Sequence, residues 1–246
     1  MALHIDILDT SLFSAWDEFL SFQKSATFCH RAGWKTVIEE GAGQACPYLI
    51  ARQGTEVVGI LPLSIKKHFL FGKALISNMF CVYGGAVAAS SAVEEALYDE
   101  AWTIAQRENI PIFENRSLIS NHENSEDWVV QAKSATFIRS LADTEEQQLL
   151  DIPRKQRAVI RKSLKNNLTT DWNGDVSLFY DLYARSVLGL GTPVFPKKLF
   201  TTLCGVFPDN VQIQITQNTE GKAAASLMSF YHNDTVMPYY AGANKL

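Results

Sequence analysis

Cysteine is scarce in this chain: there are four in 246 residues, at positions 29, 46, 81 and 204. None belongs to a C-x-x-C pair, and none stands at zinc-ligand spacing from a histidine. Zinc ribbons and fingers are therefore excluded, and a disulfide framework is not expected in a chain of this size. The four read as reduced, buried thiols. Also missing are a Walker loop, an H-E-x-x-H pair, a G-x-S-x-G elbow and a strand-led G-x-G-x-x-G. The first residues, MALHIDILDTSLFSAWDEF, lack the basic and apolar regions of a signal peptide. The stretch 74–93 carries no charge, but Ser77, Asn78, Gly84, Gly85, Ser90 and Ser91 interrupt it. It reads as a buried strand and turn rather than a membrane span. The expectation is a cytoplasmic protein without stable membrane insertion.

Positive charge is in short supply too. The chain has 22 Lys and Arg against 26 Asp and Glu. Yet 154–165, RKQRAVIRKSLK, holds six cations and no acid. Outside that stretch 16 basic residues face 26 acidic ones. Such a body has no general attraction for DNA or anionic lipid, so any polyanion contact has to be local. Arg154, Arg157 (or Lys155), Arg161 and Lys165 recur every three or four residues and share a helix face. Ile160, Leu164 and Leu168 run down another face, which predicts a helix docked on its apolar side. Like charges four apart repel unless an anion offsets them. Arginine suits bidentate contact with phosphate. Two readings stay open: a phosphate-binding face for tRNA, a nucleotide-linked donor or a lipid-linked sugar phosphate, or a solvated face paired with acids elsewhere.

Hydrophobic periodicity predicts helices over 11–24 (capped by Thr10 or Ser11), 34–39, 92–108 and 175–188. Pro153 opens the basic helix. The run YLIARQGTEVVGILPLSI predicts a hairpin, and IPIFENR and SATFIRSL predict strands. The order helix, loop, short helix, hairpin then recurs. Trp34 maps to Phe200, Gly59 to Ala225 and Leu61 to Leu227, each at a steady offset. This is a repeat of pattern. After Leu227 the second copy is much shorter than the first, which suggests an incomplete second unit.

Four smaller motifs are candidates for chemistry. In LGLGTPVFP, Gly189 and Gly191 permit positive φ, Pro193 and Pro196 stiffen the exit, and Thr192 offers a hydroxyl; a helix cap and rigid turn is the alternative. CVYGG, 81–85, allows close approach of backbone to a ligand, or forms a tight turn. In ENR, Glu114 and Arg116 form either a polar site or a salt bridge. In FCHRAGW, His30 is a lone histidine, a residue that is structural more often than basic.

Taken together, FCHRAGW, VVGILPLSI with LFGKALISNMFCVYGG, RKQRAVIRK, LGTPVFP and PYYAG resemble the FemAB-like proteins of the GNAT superfamily, especially the group associated with PEP-CTERM and exosortase exopolysaccharide systems. The resemblance covers nearly the whole chain and rests on the order and number of motifs. It implies an α/β fold of layered α+β type with tandem GNAT-like (acyl-CoA N-acyltransferase-like) domains. Their expected limits are 1–150 for the first, 151–174 for a basic linker helix and strand, and 175–246 for a partial second. The Q/R-x-x-G-x-G/A pyrophosphate loop of ordinary GNAT enzymes is not found, which counts against a simple CoA-dependent acetyltransferase.

The resemblance also implies acyl or aminoacyl transfer to an amine, serving cell-envelope, peptidoglycan or exopolysaccharide assembly. The donor would be an acyl-CoA or an aminoacyl-tRNA, and the acceptor a small molecule, glycan or peptide. No metal is expected. Arg154, Lys155, Arg157, Arg161 and Lys162, with Thr192, are the donor-binding candidates. His30, Arg31, Trp34 and Tyr83 are candidates for the acceptor cleft, and Glu114 and Arg116 are candidates for substrate or donor binding. Tyr239 and Tyr240 are candidate hydrogen-bond donors at the reaction centre. The competing expectation is a non-catalytic module that grips tRNA or a phosphorylated glycan, or an inactive part of a longer transferase.

Overall fold

The computed structural model describes residues 2–68, 72–118, 126–131 and 134–244. Strand β1 (Leu3–Ile7) pairs antiparallel with β2 (Leu49–Gln53), which pairs with β3 (Glu56–Leu61) across a turn at Gly54. Gly54 has φ +65°, a value that glycine reaches without Cβ strain. The hairpin expected there is present, and β6 (Val87–Ala88) completes the first sheet in the order β1-β2-β3-β6. A second sheet runs β4 (Leu63–His68), β5 (Gly72–Ser77) and β7 (Phe113–Glu114), with β7 parallel to β5. A third has the order β11 (Thr235–Ala243), β10 (Ala223–His232), β9 (Val211–Gln217) and β8 (Thr169–Asp171).

The helices follow the apolar periodicity. Helix α1 (Phe13–Ser21) begins after one 3-10 turn, and Asp9 rather than Thr10 or Ser11 caps that turn by accepting from the Ser11 amide at 2.9 Å. Helix α2 (Gly33–Ala42) ends at Gly43, with φ +66°. Ser90 caps α3 (Ser91–Arg107), and Asp175 caps α6 (Val176–Gly189) through two amides. Helix α7 (Lys197–Val206) packs on α2. These two helices hold Trp34 and Phe200, the residues that the sequence offset pairs, and both are fully buried. Backbone meets backbone at Gly41, where a Cβ would lie 2.8 Å from the Leu199 Cα.

Two expected features are absent. The stretch 134–141 forms no strand, and its Phe137 and Ile138 are 95% and 78% exposed. β-Branched and aromatic residues do not make a strand without a partner edge and a face to bury. The basic stretch is helical, as α5 (Arg154–Ser163), but none of its residues is buried. Val159 and Leu164 are 67% and 73% exposed, so the expected docking on an apolar side does not occur among the described residues. A helix absent from the sequence reading, α4 (Glu145–Asp151), precedes it, capped by Thr144.

The chain divides into two compact units, one made of residues 1–119, 195–211 and 230–237, the other of 120–194, 212–229 and 238–246. The first is built around an aromatic cluster. Phe28 stacks on Phe230 at 4.6 Å between centroids and lies 4.8 Å from Phe207, while Trp34 meets Phe230 edge-on at 5.8 Å. Truncating a Phe or Trp so placed costs about 3–5 kcal/mol. The second unit buries Phe179, Leu182 and Tyr183 of α6 with Ile213, Ile215 and Met228. No described helix is long and apolar enough to cross a membrane.

A candidate anion-binding face

Helix α5 owes its position to a local chain reversal. Pro153, with ψ 141°, separates it from α4, and the last carbonyls of α4 are left without helical partners. Arg157 reaches back to them. Its Nη2 donates to the Leu150 carbonyl at 2.6 Å and the Ile152 carbonyl at 2.9 Å, and its Nε to Ile152 at 3.2 Å. One member of the arginine stripe is thus a hinge clamp, a role without a sequence signal.

The remaining cations converge as their spacing predicts. Arg154, Arg157, Ala158, Arg161, Lys162 and Lys165 line an open depression of about 570 Å³. Lys155 is not in that lining. From Arg154 to Lys165 the stripe runs for about 16 Å at the helical rise. Among the described residues, no carboxylate forms an ion pair with Arg154, Lys155, Arg161, Lys162 or Lys165. The alternative of a solvated face neutralised by acids therefore finds no partner there. A row of like charges on one helix is a standing electrostatic cost that phosphate would relieve.

The acceptor-cleft candidates and the Glu114–Arg116 pair lie in the other unit; His30, Trp34 and Tyr83 are in its interior, Arg31 and Arg116 are half-buried and Glu114 is exposed. Trp34 is fully buried and its indole N–H donates to the Phe28 carbonyl at 3.0 Å. His30 is buried and caps a 3-10 turn: the Thr27 amide donates to its Nδ1 at 3.1 Å. Burial pushes its pKa down to about 4, although hydrogen bonds with the backbone at Gly85 and Thr27 oppose the shift. It is a neutral structural histidine at pH 7. Arg31 donates from Nε to Asp17 at 2.9 Å and from Nη1 to Asn210 at 3.1 Å, and lies over the Phe207 ring. Beside it, burial and the Arg31 charge lower the His232 pKa, and His232 Nε2 is a buried atom without a hydrogen-bond partner among the described residues. Asp17, Asn210 and His232 were not singled out from the sequence; they are far from Arg31 along the chain, and no spacing marks them.

The CVYGG stretch is a tight structural loop. Both glycine amides donate to the Arg116 carbonyl, at 3.0 and 3.1 Å, and a Cβ on Gly84 would lie 2.6 Å from the Ser77 carbonyl oxygen. Arg116 in turn donates to Glu114 at 2.7 Å and to the Cys81 carbonyl at 2.9 Å, so ENR is a salt bridge that also clamps this loop. Tyr83 is buried within it. Below it, Asn78 holds positive φ and accepts from the Tyr48 hydroxyl at 2.8 Å, while its amide donates to the Cys29 carbonyl and the Cys81 thiol. The Cys81 hydrogen bond pulls the Cys29 thiol pKa down, and burial pushes that of Cys81 up. No group of residues suited to a metal ion is present among the described residues.

In the unit that carries α5, Thr192 is exposed and its amide donates to the Val187 carbonyl at 3.3 Å, closing the end of α6 with Gly191 at φ +74°. Tyr240 is buried edge-on against Tyr183 at 5.8 Å, and Tyr239, which is half-buried, lies 4.8 Å from it.

No protein-family model matches the sequence, and no curated protein matches it. Among solved structures the chain is similar to FemX: 99% of this chain and 80% of that one superpose with a TM-score of 0.64 at 11% identity. A tandem GNAT protein from the clavulanic acid biosynthesis pathway matches with a TM-score of 0.46 at 10% identity, over 97% of this chain and 79% of that one. L-PGS from Bacillus licheniformis matches at 0.47 and 8% identity, over 98% and 67%. The mixed α/β fold class expected from the sequence is the one observed, and the fold is similar to that of FemX.

Proposed function

We propose that the protein transfers an acyl or aminoacyl group from an activated ester or thioester to an amine, in cell-envelope or exopolysaccharide assembly. The amine nitrogen attacks the donor carbonyl carbon. A C–N bond forms, the C–O or C–S bond breaks, and the amine proton leaves with the alcohol or thiol. One observation carries the reading: a fold shared with FemX over 99% of the chain bears a cationic face on α5 that has no ion pair among the described residues. On this reading one reactant travels on a phosphate-bearing carrier. Arg154, Arg161, Lys162 and Lys165 contact the phosphates, and Arg157 holds the helix in place. Tyr239 donates a hydrogen bond to the developing oxyanion. The domain limits 1–150, 151–174 and 175–246 belong to the same proposal, supported by the repeated element order.

A second reading is favoured by a separate observation: the face is open and made from one helix, as a gripping module requires. Incubating the full chain with acyl-CoA or aminoacyl-tRNA and a panel of amines, and reading products by mass spectrometry, separates the two. Transfer from one donor class that falls at least about tenfold on Arg154→Gln with Arg161→Gln supports the transferase. Salt-sensitive binding of tRNA or a phosphorylated glycan with no turnover replaces it with the module.

A further inference from the structure

A phosphate seat for one small ligand is a concave site in which donors converge from several elements. The depression on α5 is different in kind. Every residue lining it comes from one helix and its end, and the row extends for about 16 Å along that helix. Arg157, one of the three guanidiniums in the row, is engaged with the carbonyls of α4. What remains is a line of separated cations suited to a line of separated anions.

The apolar side chains lie beyond that line. At 100° per residue the stripe centres near Arg154 and Lys165, with Leu164 about 90° to one side of that centre and Val159 about 130° to the other, so the helix is amphipathic. Both are more than two-thirds exposed, and Leu168, which follows the end of the helix, is 41% exposed. No acidic residue occurs between 154 and 165, while the rest of the chain is acidic. A soluble nucleic acid would use the cations and leave Val159 and Leu164 in water. A bilayer uses both, with headgroup phosphates against the Lys and Arg tips and the acyl boundary against the apolar flanks.

We infer that α5 lies on an anionic lipid surface and docks the protein peripherally through Arg154, Arg161, Lys162 and Lys165, with Val159 and Leu164 entering the interface. The inference rests on the phosphate-face reading above and names the carrier as the membrane itself. The acidic body confines the contact to this helix, since the remaining surface is repelled by anionic headgroups.

Co-sedimentation of the full chain with vesicles of phosphatidylcholine, with and without phosphatidylglycerol, tests it, with bulk tRNA and inorganic pyrophosphate as soluble polyanions. Binding is expected only to vesicles that contain phosphatidylglycerol. It should weaken about a hundredfold in Arg154→Gln, Arg161→Gln, Lys165→Gln, which removes three surface charges. It should weaken roughly tenfold in Val159→Ala, Leu164→Ala, which keeps every charge and a good helix. All five positions are exposed, so both variants should fold, and circular dichroism checks this. Vesicle binding that ignores the apolar variant overturns insertion into the interface. Failure to bind vesicles, with α5-dependent binding of tRNA or pyrophosphate, overturns the membrane surface and leaves the phosphate face standing. Binding to neither removes both.

Discussion

His30 shows how a residue that looks chemical can be structural. Its Nδ1 accepts the Thr27 amide, so the ring is held neutral inside a buried turn. Burial sets its pKa near 4, against about 6.5 for an exposed ring. The unfolded chain therefore binds a proton between these values that the folded chain refuses, and stability rises with pH across that window. The contribution is fully present above pH 6.5 and is lost as pH falls toward 4. It amounts to something on the order of 3 kcal/mol. Urea unfolding at pH 7.5 and pH 4.5 should show that much extra loss in the wild type relative to His30→Gln, and equal losses in the two proteins would show that the ring titrates freely. Arg157 makes the complementary point. Replacing it by Gln should lower the melting temperature, through loss of about 1 kcal/mol of hydrogen bonding to the α4 carbonyls.

Elements were legible where a local signal defined both ends. The β2–β3 hairpin announced itself through β-rich runs around Gly54, and α3 and α6 through their apolar periodicity, while their caps, Ser90 and Asp175, were not read as such. The stretch 134–141 was misread because β propensity describes a side chain's preference and is silent about a partner strand. For α5, spacing predicted which cations share a face, and they do. It also predicted an apolar side, but periodicity cannot say whether anything covers that side. The pairing of α2 with α7 belongs to this scale as well. The repeated pattern marked two similar helices, and the glycine at 41 is where they meet. Gly41→Ala would normally stabilise a helix by about 1 kcal/mol. Here the new methyl would meet the Leu199 backbone at 2.8 Å, which cannot yield as a side-chain tip can. A net destabilisation of about 2 kcal/mol is expected in chemical denaturation. A stabilised variant would mean that the helices separate easily.

At the scale of the molecule, the fold class followed from the resemblance carried by the ordered motifs, but the interior of the candidate cleft was not legible. Trp34, His30 and Tyr83 sit in motifs that suggested an acceptor pocket, whereas Trp34 packs on Phe207 and Phe230 and the loop of Tyr83 is clamped by Arg116, all far along the chain. The thiols offer a direct probe of how cooperatively that interior holds. Cys29, Cys46 and Cys81 are buried in the same unit, and Cys204 in that unit is partly exposed. Burial pushes Cys46 up to about 12 and Cys204 up to about 11, so neither is a ready thiolate at neutral pH. Under native conditions an alkylating reagent should modify Cys204 first. The other three should react together, at a rate set by opening of the whole unit, because no partial opening frees Cys29 from Asn78 and Cys81 without breaking the loop clamped by Arg116. Time-resolved mass spectrometry reads this directly. Modification of Cys46 well ahead of Cys29 and Cys81 would show that the β2–β4 end opens independently, and the aromatic cluster would then have to be treated as a separate cooperative body.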